Sequence, residues 1–115
     1  MRDKDWQHFE DYIAERLKEI DPFARATKGS GNQNEKCDIK TSCDLGFECK
    51  QRSTKDITVK SDVWDKLCNE IPLHSKKIPI YALENKDKKR WVVLDLDDFL
   101  DMYIELWEFK NGKIR

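Results

Sequence analysis

No stretch of the 115 residues approaches the roughly 20 consecutive apolar residues that span a bilayer as a helix. The charged opening Met1-Arg2-Asp3-Lys4-Asp5 is also unlike a secretory signal, so a cytosolic protein is expected. Paired C-x-x-C zinc spacing is missing: the four cysteines stand at 37, 43, 49 and 68 and read as free buried thiols, with a metal or iron–sulfur role as the alternative. There is no internal repeat or low-complexity tract. A strong positive charge is absent too, and the net charge of −1 by itself argues against a generic nucleic-acid binder.

The charge is unevenly spread, however. Six acids (Asp95, Asp97, Asp98, Asp101, Glu105, Glu108) face three bases (Lys110, Lys113, Arg115) in residues 92–115, leaving residues 1–91 slightly basic. Contact with phosphate is therefore compatible with the first part of the chain. Charged residues make up 39% and hydrophobic ones 38%, with four Trp, five Phe and three Tyr spread along the length. Such a chain has the apolar side chains to fold, and its size suits one domain over residues 1–115.

Residues 3–20 carry Trp6, Phe9, Ile13, Leu17 and Ile20 at spacings of three and four, which predicts an amphipathic helix ended by Asp21-Pro22. At about 100° per residue, Glu10 falls on the border of its apolar stripe and Glu15 on the solvent side. A short strand is expected within Phe23–Thr27, then a loop Lys28-Gly29-Ser30-Gly31-Asn32-Gln33-Asn34. Two glycines around a serine let backbone approach a phosphate, and Lys28 adds charge; the same composition also suits a plain flexible connection. Residues 61–71 read as a helix with Ser61 or Asp62 as N-cap and Val63, Trp64, Leu67, Cys68 and Ile71 inward, stopped by Pro72. Residues 78–83 and 91–96 read as strands joined by the charged turn 84–90, with Pro79 at an early or edge position. Asp97 is expected to cap a last helix to about Glu108, with Phe99, Leu100, Tyr103, Ile104 and Trp107 on its apolar side. The whole predicts an α/β domain with a mixed central β-sheet flanked by helices, in the order α-β-β-β-α-β-β-α.

The most informative segment is Cys37-Asp38-Ile39 to Gly46-Phe47-Glu48-Cys49-Lys50. With a side-chain period of 2, Glu48 and Lys50 share one strand face while Phe47 and Cys49 share the other. The polar run Thr41-Ser42-Cys43-Asp44 suits a hairpin connection, and antiparallel pairing then brings Asp38 to Glu48. Two adjacent carboxylates repel unless a cation sits between them, and all-oxygen ligands point to Mg²⁺ or Mn²⁺. A lysine beside them has the charge to orient a nucleophile and to stabilise a developing phosphorane. The same alternation also describes the wet face of a half-solvated hairpin. Gln51-Arg52-Ser53-Thr54-Lys55 follows as a polar, basic continuation, facing either a phosphate backbone or solvent.

Taken together, Glu10 on the first helix, Gly29-Ser30-Gly31 in a loop, Asp38, and Glu48-Cys49-Lys50 on a strand resemble the PD-(D/E)XK nuclease superfamily. Compact archaeal-type Holliday junction resolvases, including viral relatives, are the nearest likeness, over roughly residues 6–100. Cys37 stands where the motif name has proline. The resemblance implies a restriction-endonuclease-like core and a Mg²⁺- or Mn²⁺-dependent endonuclease acting on branched DNA as a homodimer, in host cytoplasm if viral. It implies Asp38, Glu48 and the Cys49 carbonyl as metal ligands, with Glu10 completing the acidic cluster directly or through water. Lys50 would position the attacking water, Ser30 would lie near the scissile phosphate, and Gln51 would assist. Lys28, Gly29, Ser30, Gly31, Arg52 and Lys55 would contact DNA. Aromatic residues Trp64, Trp91 and Trp107, more than so small a core must hide, add loose support for dimerisation. A restriction-type nuclease is a second reading, disfavoured because no insertion is available to read base edges; a DNA- or protein-binding module with an inactive site is a third.

Overall fold

The computed structural model describes residues 5–27, 39–75 and 77–112, with the side chains of 72–75 excepted. In chain order its elements are α1 (Asp5–Leu17), β1 (Arg25–Ala26), β2 (Ile39–Lys40), β3 (Leu45–Gln51), α2 (Ser61–Ser75), β4 (Ile78–Glu84), β5 (Arg90–Val93) and α3 (Leu96–Lys110). The five strands form one mixed sheet in the order β1-β2-β3-β4-β5. Neighbours are antiparallel except β3 and β4, which run parallel with α2 as their crossover.

The pleat of β3 divides the core into two layers. Phe47 and Cys49 face α1 and pack with Phe9, Ala14, Ile39, Ile80 and Ala82. On the other side Tyr81 and Leu83 of β4 pack with Leu67 and Ile71 of α2. Strand β4 is thus covered on both faces, and its near-continuous apolar run is what a central strand needs. Pro79 is the second residue of this interior strand, paired with Gly46, so it occupies an early position but not an edge. Among the described residues no helix is long and apolar enough to cross a membrane.

Several boundaries depart from the sequence expectation. Helix α1 closes at Leu17, and Ile20 stands exposed in the turn that follows, outside the apolar stripe it was expected to extend. Pro72 does not stop α2, which runs to Ser75: near a helix end proline forfeits one hydrogen bond, and the ends already leave groups unpaired. Val63, expected inward, is exposed. Asp95, not Asp97, caps α3, its carboxylate accepting from the amides of Asp97 at 2.9 Å and Asp98 at 3.1 Å. That cap starts the helix at Leu96 and ends β5 at Val93, short of the expected strand. The largest departure is α3 itself: none of its residues is buried, so two helices flank the sheet and the third does not.

Candidate functional site

Strand β3 presents Glu48 and Lys50 on the α2 side of the sheet, where the Lys50 Nζ lies 3.3 Å from the Glu48 Oε2. Both side chains are partly open, 29% and 39% exposed. The parallel register sets Glu48 beside Tyr81 and Lys50 beside Leu83. A cleft of about 310 Å³ opens over the pair, bounded by Arg52 on the strand side and by Val63, Lys66, Leu67 and Glu70 of α2. It adjoins a second hollow of about 400 Å³ that shares Arg52, Val63 and Tyr81 and adds Thr54, Thr58 and Lys60. Lys50, Arg52, Lys60 and Lys66 thus line a continuous channel, against Glu48, Asp56 and Glu70.

Lys66, Glu70, Lys60 and Tyr81 were not singled out from the sequence. Lys66 and Glu70 carry a helical signal, their i,i+4 spacing and a 4.0 Å ion pair, but nothing local says which strand face α2 will cover. Tyr81 enters because β4 pairs parallel to β3, a choice made by tertiary packing.

The remaining expected residues fall in three groups. Asp38, Lys28, Gly29, Ser30 and Gly31 lie outside the described residues. Glu10 is buried, 6% exposed, on the helix that covers the opposite, Phe47–Cys49 face of the sheet, so it does not share the cleft with Glu48 and Lys50. Gln51 alternates to that opposite face as well, and its side-chain amide donates to the Arg52 carbonyl at 3.3 Å. Arg52 is exposed at the cleft, whereas Lys55 lies in the following loop and its carbonyl accepts from the Asn85 side chain at 2.9 Å. Cys49 buries its thiol in the α1-side core, and its carbonyl belongs to the strand between Glu48 and Lys50.

The register matters for Asp38. Ile39 pairs with Phe47 in an antiparallel ladder, and the expected meeting of Asp38 with Glu48 depends on that register. Among the described residues no three His, Cys, Asp or Glu side chains gather as a metal-holding group. Mg²⁺ is commonly held by one or two carboxylates with water and phosphate oxygens completing its shell; Glu48 stands at the cleft, and its expected partner Asp38 lies outside the described residues. Chemically, the two adjoining hollows offer three carboxylates, Glu48, Asp56 and Glu70, and four cations, Lys50, Arg52, Lys60 and Lys66, with Lys50 paired to Glu48.

The hairpin that carries this strand is pinned at its turn. The Ser42 amide donates to the Asp21 carboxylate, and Lys77 Nζ donates to the carbonyls of Thr41 at 2.6 Å and Cys43 at 2.8 Å. No protein-family model matches this chain, and no curated protein or solved structure matches it either.

Proposed function

We propose that this domain is a divalent-metal-dependent endonuclease hydrolysing phosphodiester bonds in DNA, at branched structures such as four-way junctions. The observation that carries the reading is the Glu48–Lys50 pair, 3.3 Å apart and opening onto a channel with Arg52, Lys60 and Lys66 along it. Further support comes from the strand context: a helix, an antiparallel hairpin and a parallel crossover place that pair in mid-sheet, as a restriction-endonuclease-like core would. Asp38 and Glu48 would hold Mg²⁺ or Mn²⁺, which when bound lowers the pKa of water and neutralises phosphate charge.

Within this reading Lys50 donates toward the attacked phosphate or its nucleophile, released from Glu48 once that carboxylate is engaged elsewhere. Arg52 and Lys66 bind the strand through its phosphates without reading bases. Glu10 would complete the acidic cluster directly or through water, and Gln51 would assist Lys50; both roles rest on the resemblance, since neither side chain lines the described cleft.

Labelled four-way junction, linear duplex and single strand are incubated in Mg²⁺ beside Asp38→Ala, Glu48→Ala and Lys50→Ala. Selective junction cleavage, lost in all three variants while junction binding persists, is the expected result. Full activity in any of them refutes the site; equal cutting of linear duplex moves the substrate to a restriction-type reaction. A binding module without catalysis is the second reading. Calorimetric titration with Mn²⁺ separates the two, the module giving no heat.

A further inference from the structure

The link between β2 and β3 is held at each of its four positions by residues from elsewhere in the chain. Lys77, which leads into β4, donates from Nζ to the Thr41 carbonyl at 2.6 Å, the Thr41 Oγ1 at 3.1 Å and the Cys43 carbonyl at 2.8 Å. The next amide, that of Ile78, donates to the Asp44 carbonyl at 2.7 Å. From the other side the Asp21 carboxylate accepts from the Ser42 amide. Thr41, Ser42, Cys43 and Asp44 are thus all gripped, three of them by Lys77 and Ile78.

This grip exceeds what a hairpin turn needs, since an ordinary polar turn leaves its free groups to water. An ammonium carries three N–H donors, and Lys77 directs them at three turn oxygens. The side chain is half-buried, where a charge is costly unless it is paired and hydrogen-bonded; the buried Asp21 carboxylate nearby balances it. What the turn controls is register. Strand β2 places Ile39 opposite Phe47, and a slip by one residue would turn every β2 side chain to the other face of the sheet. Because the same grip joins the turn to the start of β4, it also ties that register to the parallel ladder that sets Glu48 beside Tyr81.

We propose that Lys77 is a positioning residue for the metal-holding carboxylates: by fixing the β2–β3 turn it holds the register on which the meeting of Asp38 with Glu48 depends. The inference rests on the nuclease reading, in which those two carboxylates hold the cation. Lys77 lies at the Leu45 end of β3, away from Arg52, and lines neither hollow of the channel, so it acts through the backbone and touches neither cation nor DNA. A loosened turn lets the two carboxylates drift apart and weakens the cation held between them. Lys50, Arg52 and Lys66 stand on β3 and α2 and keep their places, so phosphate binding is spared.

Two variants of the full chain test this, each checked by circular dichroism and assayed well below its unfolding midpoint. Lys77→Met keeps the apolar stem and removes the ammonium; Thr41→Val is milder and removes one of the three acceptors. Calorimetric titration with Mn²⁺ is expected to show affinity about tenfold weaker in Lys77→Met, with a smaller loss in Thr41→Val. Binding of a four-way junction in EDTA is expected to be unchanged in both. In cleavage assays the Mg²⁺ concentration giving half the maximal rate rises by the same factor as the Mn²⁺ dissociation constant, and saturating Mn²⁺ restores the rate. If Lys77→Met does not fold, Thr41→Val decides by the same titrations. Wild-type Mn²⁺ affinity in a folded Lys77→Met overturns the proposal. So does a loss of junction binding in step with the loss of metal, which marks a residue that merely supports the whole domain. A wild type that takes up no Mn²⁺ and cuts nothing overturns the nuclease reading and this inference with it, whereas an active wild type beside an unaffected variant overturns the inference alone.

Discussion

The Ser42 amide donates to the Asp21 carboxylate, joining the segment after α1 to the turn between β2 and β3. Asp21 is buried and accepts from the Phe23 amide as well, at 3.1 Å. The Ser42 amide above all, then the Phe23 amide and the nearby Lys77 charge, hold the carboxyl below the usual aspartate range against the opposing effect of burial. Because the folded value lies below the unfolded one, this contribution to stability is complete above the ordinary aspartate pKa. It is lost as pH falls through the lower folded value. Asp21→Asn should therefore lower the urea midpoint at neutral pH and flatten the acid limb of a stability–pH profile. Superimposable profiles for variant and wild type would show that the turn is held by other contacts.

Glu84 makes a second prediction, on the opposite end of the sheet. Its side chain is 1% exposed, and Arg90 Nε donates to Glu84 Oε2 at 2.8 Å. Arg90 also lies 4.3 Å from the Tyr12 ring centroid, so one guanidinium joins strand pair to helix. Arg90→Met leaves a buried carboxylate with only Lys88 at 3.8 Å, and should cost about 3 kcal/mol in a denaturant titration. Adding Glu84→Gln removes the stranded charge. The double variant should then lose markedly less than the sum of the two singles, a coupling that a double-mutant cycle measures directly.

Much of this architecture was legible because periodicity is a local property. Phe9, Ile13 and Leu17 face inward on a 3.6-residue wheel, and Glu48 shares a face with Lys50 on a 2-residue pleat; the structure places them so. That same pleat sets Gln51 with Cys49, so its assignment to the Lys50 site came from the resemblance and not from the geometry. Glu10 at the stripe border correctly read as a buried edge, but the wheel does not say which sheet face the helix will cover. For α3, the spacing identified an apolar side and implied that the domain's own sheet would hide it; period carries no information about the covering surface. Asp95 was missed as the cap because the continuous apolar run Trp91-Val92-Val93-Leu94 reads as a strand, and Leu96 beyond Asp95 extends the apolar pattern.

Cys68 provides a chemical check on the packing of α2. Partial burial raises its thiol pKa, and the negative charges of Asp95, Asp65 and Asp98 add to the effect. Less thiolate at neutral pH means slower alkylation, so Cys68 should react with iodoacetamide several-fold more slowly than a free thiol in solution. Asp95→Asn should quicken it modestly. Mass-spectrometric labelling at the single peptide reads both rates, and a Cys68 as reactive as glutathione would contradict this placement of α2 beside the acidic cap of α3.

The channel over β3 makes the most direct statement about a partner. Arg52 is exposed, and Lys66 is 74% exposed in its side chain with only a 4.0 Å contact to Glu70. Such surface charges add little to folding, typically under about 1 kcal/mol, so Arg52→Ala and Lys66→Ala should leave the unfolding midpoint nearly unchanged. If phosphates run along the channel, each substitution removes one counterion-releasing contact. Junction affinity should fall uniformly across DNA sequences, and the slope of log K against log salt should shrink by about one per cation removed. Lys86, on the β4–β5 turn and pairing with Asp87, supplies the control, because Lys86→Ala changes surface charge equally without touching the channel. An identical loss of slope in all three variants would mean that DNA responds to net charge alone and that the cleft beside Glu48 and Lys50 is not its track.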